Sequence, residues 1–104
     1  MTGIGTSAAS APLVIKARSA FSATLTRSSA AWVDAPVIEF FATAEDALDN
    51  DATPIATWTA TIDGSVATFT EDRATAQARA NGESYQIRDT TADEVIVVGK
   101  VVAP

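Results

Sequence analysis

A chain of 104 residues has room for one small domain, and its 23 Leu, Ile, Val and Phe side chains beside 22 alanines predict a thin hydrophobic core. Cysteine and histidine are both absent, which excludes disulfide frameworks, thiol nucleophiles, Ser-His-Asp triads, the common zinc sites and an imidazole base near neutral pH. The net charge of −6 is unevenly spread: residues 1–33 carry Lys16, Arg18 and Arg27 with no acid, whereas residues 34–104 sum to −9, a polarity able to orient the protein on a partner.

Residues 1–11 are Met, Gly, Ser, Thr and Ala with a single Ile, which offers no apolar face to bury, so a flexible N-terminal arm is expected there and one domain over 12–104. From Pro12 onward the signal is β. The run 12–17 (PLVIKA) is followed by 21–27 (FSATLTR), in which Phe21, Ala23 and Leu25 alternate with Ser22, Thr24 and Thr26. A turn at Ser28-Ser29-Ala30-Ala31 leads to a strand at 35–43, where β-branched and aromatic residues surround Glu39.

The stretch 44–54 holds one Leu, ends in a proline and carries Glu45, Asp46, Asp49 and Asp51, which together predict an acidic loop. Next comes a hairpin signal: 55–62, then Asp63-Gly64, then 65–70. Asp-Gly suits a type I′ turn and predicts that the two runs pair along their length, with Trp58, Ala60 and Ile62 on one face. Residues 70–82 predict a short surface helix capped by Thr70 and stopped by Asn81-Gly82. Strands at 83–89 and 94–103 close the chain, and Gly99 marks a bulge or a close backbone approach in the last. Seven strands with closely spaced turn signals predict an all-β fold, an immunoglobulin-like β-sandwich, with a half-open barrel as the alternative.

Taken in order, the segments form a recognisable series: a V-x-x-x-V-I-E-F strand, an acidic loop, W-x-A-x-I-D-G-x-x-A-x-F-T, an alanine-rich connector, G-x-x-Y-x-I and I-x-x-G-K-V-V. Trp58, Ile62, Asp63, Gly64, Ala67, Phe69, Gly82, Tyr85, Gly99 and Val101 carry it. From Phe21 to Ala103 the chain resembles the LtfC-like β-sandwich domains of tailed phages of actinobacteria. More distantly, it is similar to the N-terminal immunoglobulin-like domain of phage baseplate upper proteins. The resemblance implies a virion structural role, with no catalytic residues to carry over.

Candidate sites are few. Asp46, Asp49, Asn50 and Asp51 are oxygen ligands of the kind calcium uses, yet they lack the ligand spacing and turn glycine of a dedicated loop, so they read as a solvated surface facing a partner. Glu39 and Glu94 have nothing in the sequence to bring them together as a catalytic pair. Among Trp32, Trp58 and Tyr85, which could form a glycan platform, Trp58 reads as core, Tyr85 as a residue pinning a sandwich corner, and only Trp32 as exposed.

Lys16 and Arg18 follow a β-prone run and could carry the arm into a neighbouring subunit, in which case deleting residues 1–18 leaves a folded domain. The partner-binding candidates are therefore Lys16, Arg18, Trp32, Glu45, Asp46, Asp49 and Asp51. No enzyme activity, cofactor or metal is expected. Bases are too few for nucleic acid, and no apolar run approaches the ~18–20 residues of a membrane span. No basic region precedes the first apolar stretch, so a protein made in the host cytoplasm and not exported is expected. The functional expectation is a multi-copy virion protein that decorates or cements the capsid by binding the major capsid protein. The alternative is a tail or baseplate component, with receptor or glycan binding as its task.

Overall fold

Alternating apolar and hydroxyl side chains in Phe21–Thr26 give a strand whose burial alternates residue by residue, half-buried against exposed. A computed structural model describes residues 9–28, 30–49 and 51–104; residues 1–8, Ser29 and Asn50, which bear on the predicted arm, the turn at 28–31 and the acidic loop, lie outside the described residues. In chain order the elements are β1 (Ala9–Ser10), β2 (Leu13–Val14), β3 (Phe21–Thr26), β4 (Val37–Phe41), α1 (Ala44–Ala47), β5 (Ala56–Thr59), β6 (Thr61–Asp63), β7 (Val66–Glu71), α2 (Arg73–Gln77), β8 (Ser84–Asp89) and β9 (Glu94–Val102).

The larger sheet runs β1-β9-β8-β4-β5, with β2 continuing from β1 alongside β9, and the smaller runs β3-β7-β6. The chain thus crosses between sheets before and after β3, between β5 and β6, and after β7, which is the alternation of an immunoglobulin-like sandwich. Apolar side chains from both inner faces make the core. Trp58 packs edge-on against Phe40 with ring centroids 4.6 Å apart and meets Phe21 across the sandwich at 5.2 Å. Ile38, Phe69, Ala67 and Val101 complete it, all but sealed from solvent.

Five sequence expectations change. The run 55–62 is not one strand: its first half pairs with β4, and at Ala60, whose N–H donates to the Pro36 carbonyl at 3.1 Å, it steps into the other sheet, so only Thr61–Asp63 pairs with β7. The turn that follows has Gly64 and Ser65 at its tip, and the positive φ falls on Gly64 alone (60°), the pattern of a type II′ rather than a type I′ turn. The acidic stretch opens with one helical turn, α1, because the Thr43 hydroxyl accepts the Asp46 N–H at 3.1 Å and satisfies a donor that the turn leaves free. The second helix begins later than expected: residues 70 and 71 belong to β7, and Asp72, not Thr70, is the cap, its carboxylate accepting the Thr75 N–H at 2.8 Å. That helix lies on the surface as expected, with Ala76 alone among its residues completely buried.

The fifth change concerns the N-terminus. Ala9, Ser10 and Ala11 run parallel to this chain's own β9, with the Ala11 N–H donating to Val98 at 3.0 Å, and Leu13 and Ile15 are core residues. Pairing supplies what the side chains lack: a small-residue segment can be held through its main chain when a neighbouring strand offers a free edge.

Candidate partner-binding surfaces

The predicted site residues fall in three separate places. Lys16 and Arg18 lie in the turn between β2 and β3, exposed, with Arg18 in the left-handed region at φ 61°. The Lys16 and Ser19 carbonyls accept the Gln77 side-chain amide at 2.8 and 3.0 Å, so this turn is tied to α2, and Arg18 shares a shallow depression with Arg73. Glu45, Asp46, Asp49 and Asp51 are all exposed on α1 and the segment after it. The Asp49 carboxylate is turned inward on its own loop to accept the Asp51 N–H at 2.9 Å. Among the described residues no three carboxylates gather closely enough to hold a metal ion.

Trp32 is not exposed. It is buried at 7 % exposure, with the Arg27 guanidinium over its ring 5.0 Å from the centroid and its indole N–H left without a partner. Its main-chain N–H donates to Gly64 at 2.9 Å, which fastens the segment after β3 to the β6–β7 turn. Trp58 and Tyr85 are buried as well, so these three rings form no platform for a sugar. Tyr85 does pin something, but not a corner: its hydroxyl donates to the Ala11 carbonyl at 2.7 Å and holds the N-terminal segment on the sandwich.

The outer face of the larger sheet carries a polar network that the sequence reading did not single out. Glu39 on β4 stands beside Gln86 and Arg88 on β8; Arg88 Nε and Gln86 Nε2 both donate to Glu39 Oε1 at 3.2 Å, and Arg88 Nη1 reaches Asp93 at 3.0 Å. The Glu39 hydrogen bond raises the Arg88 guanidinium above its ordinary range, against a smaller opposing effect of burial. The network lines a groove of about 410 Å³ closed on one side by α1 and the loop after it. Register is the only signal that could have found it, since Glu39 and Arg88 are distant in sequence and become neighbours only when β4 and β8 pair. Engaged in this way, Glu39 has no contact with Glu94, which sits on β9 opposite Asp89.

Beside that groove the sheet exposes several aliphatic side chains, with Lys100 among them. Val14 on β2 pairs with Val102 on β9, Val98 lies on the same face of β9, and Leu48 beyond α1 borders a depression with Val98 and Lys100. Leu48 is 86 % exposed and Val14 53 %, so this stripe, broken by Lys100 between Val98 and Val102, leaves large aliphatic side chains in water.

A sandwich of this topology, with its turn at Gly64, the close approach at Gly99 and the core Trp58, is what the ordered series of motifs anticipated. Residues 7–103 match the family described as LtfC-like, beta-sandwich domain. The chain belongs to the LtfC-like β-sandwich domain family. No curated protein and no solved structure matches it. Membership in the LtfC-like family supports a phage-associated structural domain, and a β-sandwich of this kind is consistent with a role that involves no catalysis. Among the described residues of this LtfC-like chain, no helix is long and apolar enough to cross a membrane.

Proposed function

We propose that the chain is a non-enzymatic structural protein of a phage virion that decorates or cements the capsid, bound in many copies to the major capsid protein. The observation that carries this reading is the LtfC-like family match, which spans both sheets of the sandwich. The aliphatic stripe of Leu48, Val98, Val102 and Val14 supports it, because exposed apolar side chains in such numbers suit a surface that is covered after assembly. The flanking acidic residues, Glu45, Asp46, Asp49 and Asp51, form a rim that selects a basic partner.

Imaging of particles that carry a labelled copy of the chain tests the assignment. Label distributed over the head is the expected result. Label confined to the tail or its tip replaces decoration with a tail or baseplate role, and particles without label remove the virion reading altogether.

A further inference from the structure

The sandwich is open along one side. β3 is paired with β7 over all six of its residues, and among the described residues no strand pairs with its other edge. An edge of that length is a template for another strand, and proteins ordinarily blunt such edges with a lysine, a proline or a bulge. Phe21–Thr26 contains none of these. Across from it, β1 and β2 are held by β9, and between the two rims lies an apolar cleft of about 470 Å³ that reaches down to Ile38 and Phe69. Phe21, Ala23 and Leu25 point into the sandwich, yet the open cleft leaves them only half-buried.

Charge indicates what would fill the opening. Both rims come from residues 9–27, a stretch with Lys16, Arg18 and Arg27 and no acid in a chain whose net charge is −6. Arg18, with Arg73 beside it, lies just before β3, and Glu71, opposite Phe21, is one strand further in; Arg27, which follows the last residue of β3, is half-buried over Trp32 and shares its depression with Asp89 and Glu94, so the basic end of the opening is the one at Lys16 and Arg18. A second copy of the chain pairing β3 with β3 in parallel would set Lys16, Arg18 and Arg73 against the same bases of its partner, whereas a segment carrying carboxylates would meet them with opposite charge. We propose that the β3 edge and this cleft form an acceptor for an extended segment of a different protein. That segment adds a strand through main-chain hydrogen bonds, places alternate apolar side chains in the cleft and carries carboxylates at the end that meets Lys16 and Arg18.

The test is an amide-resolved NMR titration of the full chain with two blocked peptides of alternating valine and threonine, one ending in glutamates and its twin in lysines. The glutamate peptide is expected to shift the β3 amides and to bind about tenfold more tightly than the lysine peptide at low salt. Reversing the charge with Lys16→Glu and Arg18→Glu together should invert that preference, and Ala23→Arg should block both peptides. If Ala23→Arg does not fold, the charge-reversed variant, which touches only exposed side chains, still decides the matter. The proposal is overturned if neither peptide perturbs β3, or if both bind equally. It is also overturned if the β3 amides of the free chain are already protected and are released by deleting residues 1–8, which would make the chain its own occupant. Protection that grows with protein concentration would name a second copy instead and equally overturn it.

Discussion

A methyl group on Gly99 would run into the carbonyl oxygen of Ala11 and approach the Tyr85 ring to 2.9 Å, so the close backbone approach predicted for this glycine is where β1 meets β9. Gly99→Ala should therefore push the N-terminal segment off the sheet and lower stability by roughly 1–3 kcal/mol in a denaturant titration, the usual cost of overpacking a tight site. The same carbonyl accepts the Tyr85 hydroxyl, and Tyr85→Phe should cost about 1–2 kcal/mol by leaving it without that donor. Burial raises the Tyr85 phenol above its ordinary value, so the neutral hydroxyl's contribution is complete below the unfolded value of about 10 and is lost as pH rises through the folded one. Thermal midpoints measured at increasing alkaline pH should fall for the native chain and fall less for Tyr85→Phe. At this scale the sequence exposes Gly99 because a glycine inside a strand of valines calls for a reason. It hides the partner of Tyr85, which lies 74 positions away, and it hides the burial of Trp32, which follows from Arg27 and the β6–β7 turn closing over it.

Elements were legible where a single run carries the signal in its own side chains, whatever its partner strand. β3, β4, β8 and β9 fall where alternation or β-branched runs put them, since each buries one side on the core. The run 55–62 misleads because its alternation continues without a break through Ala60, while its hydrogen-bond partner changes from β4 to β7; side-chain pattern records which face is buried and not which sheet supplies the pairing. One-turn helices such as α1 are equally hard to see, because a single cap and no buried residue define it. The cap of α2 is testable. The main-chain hydrogen bond from Thr75 lowers the Asp72 carboxyl below its ordinary value, so the stabilisation is present above the unfolded carboxylate range and is lost as pH falls through the folded value. Asp72→Ala should lower the thermal midpoint at neutral pH and leave it less sensitive to acid, whereas Asp72→Asn, which can still accept the Thr75 N–H, should keep more of the stability and share the reduced sensitivity.

For the whole molecule, the N-terminal third is both the basic end and one wall of the sandwich. Deleting residues 1–18 removes Leu13 and Ile15 from the core. At ~2–5 kcal/mol for each large aliphatic side chain lost, set against a total stability of ~5–15 kcal/mol for a small domain, this shortened chain should not unfold cooperatively on heating. Deleting residues 1–8 leaves β1 and β2 intact and should give a cooperative transition; a cooperative transition from both deletions would show that β2 is dispensable. Sequence alone suggested the opposite, because composition measures what side chains can bury and cannot see the main-chain bonds that β9 provides.

The functional site was less legible than the fold. Acidic residues and Lys16 with Arg18 are visible as charge, but the aliphatic stripe and the Glu39–Arg88 network exist only once β2, β4, β8 and β9 are in register. The proposed function makes this sandwich a multi-copy component of the virion shell. Its most direct measurement is the molar ratio of this chain to the major capsid protein in purified particles, determined by quantitative mass spectrometry. A ratio fixed by the capsid lattice and unchanged in heads separated from their tails is expected; a chain found in only a few copies, or lost with the tails, overturns the proposed role.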